Sequence, residues 1–276
     1  MSVTSSLPER RSSIGTRRSL LIVLAAIACT ATPLPAQHVT DALRYVPNRG
    51  QIVDAHGAHH REILYSAASP GLRAYVGATG VSYVLYRLEP DTSNHSVTVA
   101  DHLRILPHLQ QQIDLVGDPE KLRVVGHRVD VRFVGANQNP RVEESEPAPD
   151  FVNIYRGSDL RLTRIPRFGR VVLRNVWPRI DLVLKSQGAW MKYEFVVHPG
   201  GDPSDIVLAY DGANELEVGA DGELRVSTSV GELRDGVPVA WQSAFTNVLT
   251  PDTIATSFAV ANNLVRFVVG EYDRTK

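Results

Sequence analysis

The sequence predicts an all-β protein, an antiparallel β-sandwich that consists of two packed β lobes with little helix. Short stretches in which β-branched and aromatic residues alternate with polar residues recur along the chain. Gly, Pro, Asn and Asp separate these stretches at short intervals, without long helical periods between them. Strands of this length and spacing are typical of antiparallel sandwiches.

The individual strands follow from this alternation. Val81, Tyr83 and Leu85 share one face of a predicted strand at residues 81–87, which a turn joins to residues 72–76 in a hairpin. The best helical pattern covers residues 101–113. Further strands are predicted at residues 127–134, 170–176, 180–185, 191–198, 206–210, 223–228, 237–242, 253–260 and 264–269.

An acidic, proline-containing stretch at residues 137–150 predicts a loop between two lobes. We therefore expect an N-terminal β lobe at residues 37–150, with a variable insertion near residues 94–126. A C-terminal antiparallel β lobe then covers residues 151–276.

Residues 1–36 have the three-part organisation of a cleavable signal peptide. A basic stretch ends at Arg17 and Arg18, an apolar run covers residues 20–28, and a small-residue region closes at Ala36. The apolar run is too short to span a bilayer. The paired arginines fit either a general secretory signal or a bacterial twin-arginine signal. We expect cleavage after Ala36 and a periplasmic, cell-surface or extracellular location.

Cysteine content and net charge limit which disulfides and which partners we expect for the chain. The single cysteine is Cys29, so a chain cut after Ala36 has no disulfide, and a lipid anchor on Cys29 is the alternative. Four of the 29 basic and one of the 30 acidic residues lie in residues 1–36, which leaves 25 and 29, a formal charge of −4. This balance argues against nucleic acid as a partner. We also expect no transmembrane segment in the mature chain.

Several phrases in a fixed order carry a family resemblance. They are YVPNRGQ (45–51), VRFVGAN (131–137), NIYRG (153–157), VWPRIDLV (176–183), KYEFVVHPG (192–200), DGA (211–213), DGEL (221–224) and VPVAWQ (237–242). With them the chain resembles the N-terminal domain of unknown function that precedes SBBP-type β-propeller repeats in large secreted bacterial proteins. The stretch near residues 94–126 departs from that pattern. The resemblance implies a surface-associated module.

Three histidines, His56, His59 and His60, are candidate metal ligands because imidazoles crowded in a loop can converge on a transition metal. No cysteine and no acidic residue at a typical ligand spacing accompanies them. A solvated loop is therefore the favoured interpretation, and we expect no metal and no cofactor.

Two carboxylates, Asp181 and Glu194, are the candidates for acid and base catalysis, since their strands are predicted to form a hairpin. Strand alternation directs both away from the apolar face, which predicts solvated surface residues. The sequence has no Gly-x-Ser-x-Gly elbow and no phosphate-binding glycine loop ahead of a helix. We therefore expect no catalytic residues.

The tryptophans Trp177, Trp190 and Trp241 would form a sugar-stacking platform if they were exposed together. Trp177 and Trp241 lie next to prolines or in family-like phrases, which favours packing. Trp190, close to Gly188 in a predicted turn, is the candidate ligand-binding residue.

These observations predict a non-catalytic exported structural or interaction module. Its expected partner is a cell-surface protein or a polysaccharide. The alternative is a carbohydrate-binding module, and the third interpretation is a hydrolase with an unrecognised site.

Overall fold

The computed structural model describes residues 19–29, 42–54, 56–90, 122–156, 160–243 and 253–274, and it describes residues 19–29 by their backbone. These residues form strands and loops, with one 3₁₀ turn at Pro203–Asp205. The first strands are β1 (Ser19–Cys29), β2 (Val46–Pro47), β3 (Ile63–Ser69), β4 (Leu72–Gly77), β5 (Gly80–Pro90), β6 (Leu122–Phe133), β7 (Arg141–Arg156), β8 (Leu160–Trp177) and β9 (Ile180–Gln187). The remaining strands are β10 (Trp190–Val197), β11 (Val207–Asp211), β12 (Glu215–Val218), β13 (Leu224–Ser227), β14 (Glu232–Asp235), β15 (Val239–Ser243), β16 (Thr253–Ile254), β17 (Thr256–Ala261) and β18 (Leu264–Val269).

The strands form two antiparallel sheets. The first sheet has the order β12-β13-β14-β1-β10-β9-β8-β7, and β15 pairs with both β1 and β16 beside this path. The second sheet has the order β17-β18-β11-β6-β5-β4-β3-β2. The all-β, antiparallel prediction is confirmed. Within the described ranges, no helix has the length and apolar character needed to cross a bilayer.

The two sheets share one hydrophobic core. Alternate residues of β9 and β10 in the first sheet and of β5, β6 and β11 in the second sheet belong to the same buried cluster. The ring of Phe195 lies 5.7 Å from Trp177 and 5.8 Å from Phe267, which belongs to the second sheet. Aromatic contacts therefore connect the sheets directly, as in a sandwich.

Most predicted strands are confirmed, because their alternation matches the face that packs into this core. The predicted hairpin at residues 72–87 is β4 followed by β5, with Gly77 paired to Gly80. A Cβ atom on Gly80 would lie 2.5 Å from the carbonyl oxygen of Val131, so this position requires glycine. The predicted helix at residues 101–113 lies outside the described residues.

The loop predicted at residues 137–150 is wrong from Arg141 onward, because β7 begins there and continues to Arg156. β7 is an edge strand, and an edge tolerates the missing N–H groups of Pro147 and Pro149. The boundary predicted between residues 150 and 151 lies inside β7. The second sheet combines β2 to β6 with β11, β17 and β18, so residues from both sides of that boundary build it.

The apolar run of the predicted signal forms β1, in the interior of the first sheet. On one side it pairs with β10, from Leu20 opposite Val197 to Ile27 opposite Met191. On the other side, the beginning of β1 pairs with β15, and its last two residues pair with Leu233 and Arg234 of β14. The cleavage site predicted at Ala36 lies outside the described residues.

Candidate functional site

The three histidines that were candidate metal ligands, in a loop predicted to be solvated, have separate surroundings. Asp54 Oδ1 accepts hydrogen bonds from the backbone N–H groups of His56 and Ala58, and this turn shapes the loop. His59 Nδ1 lies 2.9 Å from the carbonyl oxygen of Gly50, while His60 Nδ1 lies 2.6 Å from Glu62 Oε1. In the ranges that the structure describes, no group of three or more His, Cys, Asp or Glu side chains is placed to share a metal ion.

The tryptophans do not form a platform. Trp177 is buried in the core and donates its indole N–H to the carbonyl oxygen of Val134 at 2.8 Å. Trp190 is 42% exposed, which confirms its predicted exposure. Trp241 is half-buried and lies across β1 from Val196, six positions along β10 from Trp190. At about 3.3 Å per residue, that spacing is too long for one sugar ring to contact both indoles.

The prediction that Asp181 and Glu194 are solvated is wrong, because the two residues are 2% and 5% exposed. The predicted hairpin of β9 and β10 is present, and both carboxylates point away from the core as strand alternation requires. Cationic side chains cover them. Lys185 Nζ lies 2.7 Å from Glu194 Oε2, and Lys192 Nζ lies 3.8 Å from Oε1. Charge pairing on the outer face therefore explains their burial.

Asp181 is the centre of a charge network on that outer face. Its Oδ2 accepts a hydrogen bond from Arg174 at 2.7 Å and lies 2.7 Å from His198 Nε2. Its Oδ1 accepts the Asn175 N–H at 2.8 Å, where the β8 register shifts and Asn175 has a φ of 53°. Burial alone would raise the pKa of Asp181, but the hydrogen bonds from His198, the Asn175 N–H and Arg174 outweigh it and lower the pKa. The carboxylate thus holds a strained bulge in place.

A second polar group lies inside the core. Asp235 is 3% exposed, its Oδ2 accepts a hydrogen bond from the Tyr193 hydroxyl, and its Oδ1 has no partner among the described residues. Burial raises the pKa of this carboxyl to about 7. Burial also raises the pKa values of the neighbouring Tyr83, Tyr193 and Tyr210 phenols. The Asp235 carboxyl is therefore neutral or half-ionised near neutral pH. This protonation state suits a buried position that has no cationic partner among the described residues.

A small cavity of about 20 Å³ lies between the sheets beside these tyrosines. Residues from both sheets line it: Val81, Tyr83, Val131, Phe133, Leu182, Leu184, Tyr193, Phe195, Leu208 and Tyr210. Its volume suits about one water molecule, far less than a small-molecule site needs. We interpret it as a packing gap.

Two strands of the first sheet extend beyond their neighbour as a two-stranded ribbon. β8 pairs with β9 only from Arg170 onward. Before Arg170, residues 160–168 of β8 pair with residues 147–156 of β7, and both stretches extend beyond the end of β9. We call these residues the ribbon. Tyr45 and Phe168 exchange backbone hydrogen bonds at its base, and Arg156 donates to the carbonyl oxygen of Gln51 at 2.7 Å. The ribbon is therefore fixed to the N-terminal segment.

Aromatic rings and arginines alternate on the ribbon. Phe151 is 45% exposed and Tyr155 is 59% exposed. The Arg164 guanidinium lies 4.8 Å from the centre of the Phe151 ring, and that of Arg161 lies 5.8 Å from the Tyr155 ring. Neither arginine has a carboxylate partner among the described residues. The ribbon therefore carries two exposed pairs of a ring and a guanidinium group.

The sequence prediction missed this surface because the ribbon combines a stretch taken for a loop with a gap between predicted strands. A compositional signal was present, however. Residues 147–168 contain four arginines and two acidic residues, Asp150 and Asp159, in a chain that is acidic after residue 36. That local excess of positive charge distinguishes this segment in the sequence.

The model of one protein family matches residues 45–276, and its description is DUF7948, a domain of unknown function. The chain belongs to this family. The match covers both sheets except β1, and it includes the ribbon and the Asp181 network. No curated protein and no solved structure matches the chain.

Replacing Arg174 with Met tests the charge network. Asp181 and Glu143 both lose a guanidinium partner, so we expect the free energy of unfolding to fall by about 1–2 kcal/mol. Urea unfolding monitored by fluorescence measures the change. The matched control is Arg141→Met, whose exposed side chain has Glu143 as its one ion-pair partner among the described residues and should contribute less than about 0.5 kcal/mol. Equal losses in the two variants would contradict a special role for Asp181.

Replacing Asp235 with Asn tests the buried carboxyl. Its pKa is raised on folding, so the folded state keeps the proton that the unfolded state releases, and the wild type loses stability between about pH 4 and pH 7. Relative to wild type, Asp235→Asn should gain up to about 1.4 kcal/mol per pH unit across that window. Urea unfolding at pH 4, 5.5 and 7 measures the difference, and a difference independent of pH would contradict this assignment.

Proposed function

We propose that this chain is a non-catalytic, exported interaction module that binds a carboxylate-rich protein at the cell surface through the ribbon. The observation that carries the proposal is the exposed surface of Phe151, Tyr155, Arg161 and Arg164. Tyr and Arg are among the residues that contribute most to protein interfaces, and Phe is also enriched there.

The stacked geometry favours binding. Each guanidinium already lies over a ring, so part of the arginine side-chain entropy is lost before a partner arrives. Among the described residues, the Arg161 and Arg164 guanidinium groups contact ring faces, and it is the backbone N–H of Arg164 that donates to Asn153 Oδ1, so the guanidinium donors remain available for carboxylates. A carboxylate-rich face complements this charge.

The assignment of the module as non-catalytic has separate support. The two candidate catalytic carboxylates, Asp181 and Glu194, are engaged in ion pairs that stabilise the sheet. The cavity between the sheets has room for about one water molecule. The ion pairs support a structural role for Asp181 and Glu194.

Export and cellular context belong to the same proposal. The basic, apolar and small-residue organisation of residues 1–36 supports export by a bacterial secretory or twin-arginine route. The resemblance to the domain that precedes SBBP-type repeats supports a place in the cell envelope or outside the cell. The partner protein would then belong to the same compartment.

Binding assays with defined polymers test the ribbon. We expect residues 37–276 to bind poly-glutamate at low ionic strength, and the double variant Arg161→Gln, Arg164→Gln to lose at least about tenfold in affinity. Binding should weaken with salt because exposed charges carry it. Isothermal titration calorimetry measures both effects.

The matched control is Arg266→Gln, which removes an exposed arginine from the second sheet and should leave the affinity unchanged. Alginate and a neutral glucan complete the panel. Binding of a glycan without binding of poly-glutamate, lost in Trp190→Ala, would replace the proposal with the carbohydrate-binding alternative. Equal loss in Arg266→Gln and in the double variant would contradict a specific ribbon site.

A further inference from the structure

β1 fills a gap between two strands that run parallel to each other. It is antiparallel to β10 over positions from Leu20 to Ile27 and antiparallel to β15 over positions from Ser19 to Val23. Adjacent strands lie about 4.8 Å apart, so β10 and β15 are separated by about 10 Å with β1 between them. β10 and β15 therefore each form backbone hydrogen bonds with β1 along the edge that faces it.

The same residues are the apolar run of the predicted signal. Cleavage after Ala36, which we expect to accompany the proposed export, would remove β1 and leave two facing strand edges. Each edge then presents unpaired N–H and C=O groups, which are costly where they are shielded from water and readily pair with another strand.

The flanking strands specify what can fill the gap. β10 is buried on both faces, with Tyr193 and Phe195 toward the core and Glu194 on the outer face. Ala240 in β15 is fully buried as well. Strands in such positions are continuous apolar runs, and the sequence of Ser19–Cys29 is one.

Closing the gap would disturb other contacts of β15. Direct pairing of β15 with β10 would move β15 by about 5 Å. β15 also pairs with β16, with Ala240 opposite Ile254. In addition, the Gln242 side chain donates to the Asp273 carbonyl oxygen at 2.6 Å and accepts the Asp273 N–H at 3.0 Å. A shift of β15 towards β10 would therefore have to carry these partners with it or break these bonds.

From these observations we infer that the gap between β10 and β15 in the exported chain is a strand-acceptor site. Its ligand is an apolar, extended segment of a partner polypeptide that binds antiparallel to both strands. Main-chain hydrogen bonds on two sides supply the affinity, and the apolar side chains replace those of the lost segment. The inference rests on the proposed export and cleavage.

The test uses the chain exported with its own N-terminal segment. Mass spectrometry first identifies the mature N-terminus, which we expect at Gln37. A synthetic peptide with the sequence 19–29, with serine in place of Cys29 and lysines added for solubility, is the probe. We expect it to bind the mature chain, to raise its melting temperature by several degrees and to slow amide hydrogen exchange in β10 and β15.

The control peptide carries Val23→Pro, which removes a backbone donor in the centre of the strand and should weaken binding at least tenfold. A folded chain that begins at Gln37 and binds neither peptide would overturn the inference and leave the ribbon proposal standing. Protection of the facing edges in the free mature chain would show a closed gap and overturn it as well. An exported chain that retains Ser19–Cys29 would overturn both the cleavage and the acceptor site.

Discussion

The packing of two sheets onto one aromatic core is the constraint on which the rest of the molecule depends. Residues 37–276 contain no cysteine, so no disulfide can hold the sheets together. Phe195 lies at the centre, with its ring 5.7 Å from both Trp177 and Tyr193 and 5.8 Å from Phe267 in the opposite sheet. Burial of these rings supplies both the driving force and the relative orientation of the sheets.

This core fixes where polar groups can lie. On the outer face of the first sheet, Arg174 and Lys185 cover Asp181 and Glu194, which makes the sheet centre buried on both faces. On the inner face, Asp235 lies among tyrosines without a cationic partner, and its raised pKa reflects that environment. The ribbon extends past β9, away from both arrangements, and remains available for contacts.

The fold class and most strands could be predicted because the alternation of apolar and polar residues along a strand indicates which face is buried. The prediction failed where burial depends on charged partners in neighbouring strands. Alternation placed Asp181 correctly on the outer face, but the covering guanidinium comes from Arg174 in a neighbouring strand. β7 was missed because its prolines and glutamates are typical of loops, and only its place at the edge of the sheet makes them compatible with a strand. The apolar run of β1 is typical both of a signal peptide and of a buried strand. The hydrophobic pattern alone does not distinguish a signal peptide from such a strand.

The ribbon was equally hidden, since no single residue in it signals binding. Its surface depends on the β7 and β8 register, which places Arg164 over Phe151 and Arg161 over Tyr155. The compositional excess of arginine pointed to the segment but not to the stacking. The stacked arrangement of these rings and guanidinium groups is therefore a property of strand pairing.

Differential scanning calorimetry of the mature chain tests the central claim, that strands from both halves of the sequence build one shared core. The account predicts a single transition whose calorimetric and van't Hoff enthalpies agree, because neither sheet keeps its buried face without the other. Two separate transitions, assigned by fragment analysis to residues 37–150 and 151–276, would contradict it.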